Sequence, residues 1–133
     1  VRMPLSRKPL VVITRKLPET VEMRMGDRGM FQRADYTEVV PPERLGWLHA
    51  TTDADWNIVA NPMMPDWPRI LLTTVTFDSM ADDRTRLRLT WVPHEASEAE
   101  IACFAGAIDG MGKGWNAGMD LLEALLVEMQ AAA

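Results

Sequence analysis

The most regular pattern of apolar positions lies in residues 97–133. Ile101, Phe104, Ile108, Met111, Trp115, Met119, Leu122, Leu126 and Met129 recur there in steps of three and four. That spacing puts them in one stripe along one long helix. Ser97 stands where an N-cap belongs, and Glu100 follows three residues later, the spacing of a capping box. Upstream the period changes to two. Val21, Met23 and Met25 alternate with Glu22 and Arg24, and Thr85, Leu87, Leu89 and Trp91 alternate with Arg86, Arg88, Thr90 and Val92. This is the pattern of half-buried strands.

Strands are predicted over residues 10–14, 20–25, 30–40, 45–52, 70–78 and 85–92, with 56–60 as a short continuation. Residues 26–29 (Gly-Asp-Arg-Gly) and 79–83 read as turns, and Pro41-Pro42 ends a strand by removing two ladder donors. Residues 1–8 read as basic loop. Residues 61–68 hold Pro62, Pro65 and Pro68 and read as irregular loop. Strands joined by hairpin-length connections and closed by one helix define an antiparallel α+β architecture, with no parallel βαβ units.

Within the helical segment Gly106, Gly110, Gly114 and Gly118 stand four residues apart. Each costs about 1 kcal/mol relative to alanine in a helix interior. The ladder is expected to mark where the helix comes closest to the sheet or passes over a pocket. Its spacing matches that of helix pairs in membranes, but Asp109, Lys113, Asn116 and Asp120 interrupt the apolar surface, which excludes a membrane setting for this helix.

The 133 residues suffice for one domain, residues 1–133, with its own core. The net charge of −5 argues against nucleic acid as a partner. No apolar run reaches the roughly 18 residues of a membrane span. The single Cys103 makes no internal disulfide and fits a cytoplasmic setting. Ten methionines and five tryptophans stand against one tyrosine. Methionine suits adaptable apolar surfaces, so the mixture fits either a packed core or a ligand cavity.

Three segments, in order along the chain, resemble one family. Tyr36-Thr-Glu-Val-Val-Pro-Pro-Glu-Arg-Leu45 is similar to the Tyr-x-Glu-Ile/Val-x-Pro-Pro-Glu-Arg-Leu segment of proteins related to the activator of the heat-shock-protein-90 ATPase. Thr85-Arg-Leu-Arg-Leu-Thr90 resembles the family's Thr-Arg-Leu-Thr-Leu-Thr strand. Gly114-Trp115, with Met119 and Leu122 after it, resembles its Gly-Trp-x-x-x-Leu-x-x-Leu helix. The resemblance implies the START/Bet v 1-like (SRPBCC) superfamily and its helix-grip fold, a curved antiparallel sheet around a long C-terminal helix with a hydrophobic cavity between them. That fold opens with a strand and two short helices before the point where Val1 falls. The resemblance therefore implies an N-terminally truncated domain that lacks one edge strand and one cavity wall.

The alternation points Trp47, His49, Val75, Phe77, Leu89 and Trp91 inward, facing Phe104, Ile108, Met111, Trp115 and Met119 on the helix. These eleven are the candidate ligand-binding residues. Met63, Met64 and Trp67 are candidates for the mouth. Aromatic and methionine walls with few polar groups suit a small apolar molecule. His49 is a candidate polar anchor or general base, and His94 sits at the strand-to-helix corner. Cys103 reads as a small inert residue. Asp109 and Asp120 lie about three turns apart, too far for a catalytic pair. There is no CxxC motif and no His pair at i, i+4, so no metal site is expected. No cofactor is expected and no catalytic set is evident.

Binding of a small hydrophobic ligand, for which no catalysis is required, is the expected function. A co-chaperone role with a heat-shock-protein-90 homologue rests on the resemblance, as does a polyketide cyclase or aromatase-type enzyme, which would need His49 or an aspartate in the cavity. An exposed sheet edge would favour a homodimer.

Overall fold

A computed structural model describes residues 20–25 and 30–132. Five strands, β1 (Thr20–Met25), β2 (Met30–Val40), β3 (Arg44–Thr52), β4 (Ile70–Met80) and β5 (Arg84–Pro93), precede the helix α1 (Glu98–Ala131). The strands pair antiparallel in the order β1-β2-β3-β4-β5, each with its neighbour in sequence. The α+β meander and its long C-terminal helix are therefore those read from the sequence. The expected strand over residues 10–14, the basic loop over 1–8 and the turn over 26–29 lie outside the described residues.

Register fixes which side chains share a face. Tyr36 pairs with Trp47, Trp47 with Thr73, and Thr73 with Trp91. This row crosses four strands on the inner face. The neighbouring row is Ala34, His49, Leu71 and Pro93, and the next on the other side is Leu45, Val75 and Leu89. Ala34, Leu71 and Val75 are buried, and Thr73 is wholly inaccessible. The opposite face carries Thr74, Thr76, Arg86, Arg88 and Thr90, of which Arg86, Arg88 and Thr90 are exposed. The alternation read in residues 85–92 is thus an inner apolar row and an outer polar one.

Two connections differ from the sequence reading. The turn between β4 and β5 shortens to residues 81–83, because Ser79 pairs with Thr85 and Met80 with Arg84. Asp82 and Asp83 take φ of 64° and 54°, a left-handed conformation that aspartate tolerates better than most residues. Residues 56–60 do not continue β3; among the described residues they make an isolated bridge, between Thr52 and Ile58. The reason lies in Asp53, whose Oδ1 accepts from the N–H groups of Asp55 and Asn57 at 2.9 and 3.0 Å and curls the chain into an Asx turn. These bonds, that from Asn57 foremost, hold the Asp53 carboxyl below its ordinary pKa. Trp56, at φ 66°, is held by Arg33, which donates to its carbonyl at 2.8 Å, and by an edge-on contact with Phe31 at 5.5 Å.

The helix starts where Ser97 Oγ accepts from the Glu100 N–H at 3.2 Å, satisfying one of the orphan donors of the first turn. The Glu100 carboxylate lies 3.8 Å from Arg69 Nε and tethers the first turn to the segment before β4. The helix runs unbroken through all five of its glycines. It crosses the inner face on the β5 side, where the Trp115 ring stands edge-on to Trp91 at 5.1 Å. Trp67, on the loop between β3 and β4, meets Phe104 at 5.5 Å. Leu126 is the one buried side chain among the described helix residues.

Candidate functional site

The glycine ladder has the opposite neighbourhood from one of the two expected. A Cβ built on Gly106, Gly110, Gly112, Gly114 or Gly118 meets no described atom within 4 Å. Among the described residues the ladder is therefore not where helix and sheet press together. Gly110, Gly114 and Gly118 instead form, with Ala107, Met111 and Trp115, one wall of a cleft of about 660 Å³. Asn61, Met64 and Trp67 make the second wall, and Gln32 and Trp91 the floor. The absence of side chains along one helix face leaves room for the cleft, which opens to solvent.

Each wall has a local cause. Residues 61–68 cannot extend β3, because Pro62 and Pro65 lack ladder donors. Asn61 Oδ1 accepts from the N–H groups of Met63 and Met64 at 2.9 and 3.3 Å, and this turn directs Met64 toward the cleft. Trp67 is fixed against Phe104. On the floor Trp91 is held between Trp115, at 5.1 Å, and His49, whose ring centre is 6.5 Å away.

Two further clefts flank the helix. One, of about 630 Å³, lies between the edge strand and the helix, lined by Leu87, Leu89, Trp115, Asn116, Met119, Asp120 and Glu123. The other, about 340 Å³, is lined by Leu89, Thr90, Trp91, Phe104, Ile108, Met111, Gly112 and Trp115. Trp115 belongs to all three and partitions them.

The eleven sequence candidates divide accordingly. Trp91, Met111 and Trp115 line the cleft of about 660 Å³. Leu89 and Met119 line the edge-strand cleft, and Leu89, Phe104 and Ile108 the smallest. Trp47, His49 and Val75 lie on the inner face in the rows given above, and Phe77 in the next row, paired with Leu87; none of the four lines these three clefts. Of the residues proposed for the mouth, Met64 and Trp67 are in the cleft wall, whereas Met63 is 72% exposed and outside it. Cys103 is half-buried. Sequence reasoning passed over Gln32 and Asn61. The parity of β2 was the available signal for Gln32, since Gln32, Ala34 and Tyr36 share the inner face.

Burial lowers the pKa of His49 below its ordinary value, because the imidazolium loses hydration there. His49 is therefore neutral at pH 7. Above an unfolded-state pKa of about 6.5 neither folded nor unfolded chain binds this proton. As the pH falls below it, the unfolded chain protonates first, and stability is lost toward the lower folded-state pKa. Urea unfolding should show wild type losing stability as the pH falls below about 6.5, with His49→Phe losing visibly less. Equal slopes would mean that His49 is not desolvated in solution. No group of three or more His, Cys, Asp or Glu side chains is gathered among the described residues. None of the described helices is long and apolar enough to cross a membrane.

A curved antiparallel sheet gripping one C-terminal helix, with open clefts between them, defines a helix-grip α+β protein of the SRPBCC type. The model of the family described as Activator of Hsp90 ATPase homolog 1-like protein matches residues 16–127, and the chain belongs to that family. The crystal structure of protein Ms6760 from Mycobacterium smegmatis is similar in fold, with a TM-score of 0.52 and 23% sequence identity over 73% of this chain and 53% of that one. The chain thus spans about half the length of that solved structure. No curated protein matches it.

Proposed function

We propose that this chain binds a small apolar molecule in the cleft over Gly110, Gly114 and Gly118, and that binding rather than catalysis is its activity. The observation that carries the reading is an open cleft of about 660 Å³ lined by three indoles and two methionines, with no side chain on the helix glycines. Its size falls in the range of small-molecule sites, and its composition is that of an apolar ligand pocket. An enzyme of the cyclase type would need His49 or an aspartate in the cavity; neither lines this cleft, although Asp120 lines the one against the edge strand.

The test is titration with a fluorescent apolar probe. Wild type should bind saturably with one site per chain. Gly114→Leu should fold, because the new side chain enters open space, and should lose most of the binding because it occupies the cleft. Equal binding by both proteins, or none by either, contradicts the reading.

Membership of the family supports a second reading, a chaperone-directed role. The observation in its favour is the uncovered apolar surface near the helix C-terminus, where Leu121 is 74% exposed and Leu125, Val127 and Met129 are about half exposed. An ATPase assay of a heat-shock-protein-90 homologue with Leu121→Glu beside wild type separates the two. Stimulation that the variant loses supports a chaperone role, and no stimulation removes it.

A further inference from the structure

The walls of the large cleft differ from those of its neighbour in the kind of polarity they offer. The cleft against the edge strand carries two carboxylates, Asp120 and Glu123. The large cleft carries no charged side chain among the described residues that line it; its polar groups are the amides of Gln32 and Asn61 and the indole N–H groups of its tryptophans, which can only donate. Asn61 Oδ1 is engaged by the N–H groups of Met63 and Met64, so its Nδ2 is the end left to donate. Among the described residues Gln32 makes no side-chain hydrogen bond, and its amide has both a donor and an acceptor to offer. The one imidazole near this floor, His49 against Trp91, is neutral.

We propose that the large cleft selects an uncharged, flat apolar molecule with a hydrogen-bonding edge, such as a phenol or an aromatic ketone, and that Gln32 and Asn61 read that edge. The inference rests on the cleft being a ligand site. Its physical basis is an asymmetry of cost. An ion entering this cleft would lose hydration with no opposite charge to meet it. A neutral hydroxyl or carbonyl exchanges water for an amide partner. The rings of Trp67 and Trp91 and the thioether of Met111 supply apolar contact on either side of such a plane.

The experiment compares naphthalene, naphthol, naphthoate and naphthylmethylammonium at neutral pH by calorimetry. These probes share one ring system and differ in polarity and charge. Wild type should bind naphthol roughly three- to tenfold more tightly than naphthalene, the worth of one ordinary hydrogen bond, and both ions more weakly than naphthol. Gln32→Leu should reduce the preference for naphthol over naphthalene to about onefold. Asn61→Asp keeps the oxygen that shapes the loop, removes the donor, and should weaken binding of an aromatic ketone such as acetonaphthone. If naphthalene binds but naphthol gains nothing, or if an ion binds best, the proposed selectivity is wrong and the cleft remains a ligand site. If no probe binds, the cleft reading itself falls.

Discussion

Trp115→Ala should abolish binding in the cleft and destabilise the fold by about 2–3 kcal/mol. Truncating a buried tryptophan costs roughly 3–5 kcal/mol, and Trp115 is 38% exposed, which brings the expectation below that range. Part of the loss is the edge-on contact with Trp91 at 5.1 Å, since such aromatic pairs contribute about 0.5–1.5 kcal/mol beyond their buried area. The effect on binding is larger because Trp115 is a wall of all three clefts. Without it the three spaces merge and no ring defines the width of any. Urea denaturation followed by circular dichroism measures the first effect, and probe titration the second. Trp115→Phe, which keeps a ring against Trp91, should recover most of the stability. Full binding by Trp115→Ala would place the ligand away from the helix.

The combined substitution of Gly110, Gly114 and Gly118 by alanine should act in opposite directions on stability and binding. Glycine in a helix interior is about 1 kcal/mol less favourable than alanine. A Cβ at each position meets no described atom within 4 Å, so no clash offsets the gain. The variant should be more stable by about 2–3 kcal/mol. Each added methyl also enters the large cleft, so probe affinity should fall. Gly106→Ala is the control, because Gly106 lines none of the three clefts: it should gain stability and keep affinity. Destabilisation of the triple variant would mean that these glycines are packed against other parts of the chain. The ladder would then be a close-approach device rather than a cavity wall.

The opposed effects explain why the helix was easy to recognise and its purpose was not. The apolar steps from Ile101 to Met129 state a helix, and Ser97 states its start. Both depend on local periodicity and capping, which sequence carries directly. The strands were legible for the same reason, and their inner faces followed from parity alone. The length of the β4–β5 hairpin was not, because pairing of Met80 with Arg84 depends on register set by the whole sheet. The curl at Asp53 that ends β3 was likewise hidden in a single side chain's hydrogen bonds.

For the site, parity correctly told which residues face inward but not which of them the helix leaves uncovered. Val75 and Phe77 have the same parity as Thr73, yet they border none of the three clefts, because the helix crosses the sheet on the β5 side. Where a helix lies above a sheet is a property of backbone separation, not of any one residue's type. The glycines were therefore read ambiguously, as contact or as space. Gln32 and Asn61 were missed because an amide on an apolar face resembles a turn or surface residue until the opposing wall is known.

The methionines allow the central claim, that the ligand lies over the glycine ladder, to be tested in one measurement. Methyl-labelled methionine spectra recorded during titration with naphthol should show the ε-methyl signals of Met64 and Met111 shifting together. Those of Met63 and Met80, both exposed and outside the cleft, should stay in place. Shifts confined to Met119, or none at Met64 and Met111 under saturating ligand, would contradict it.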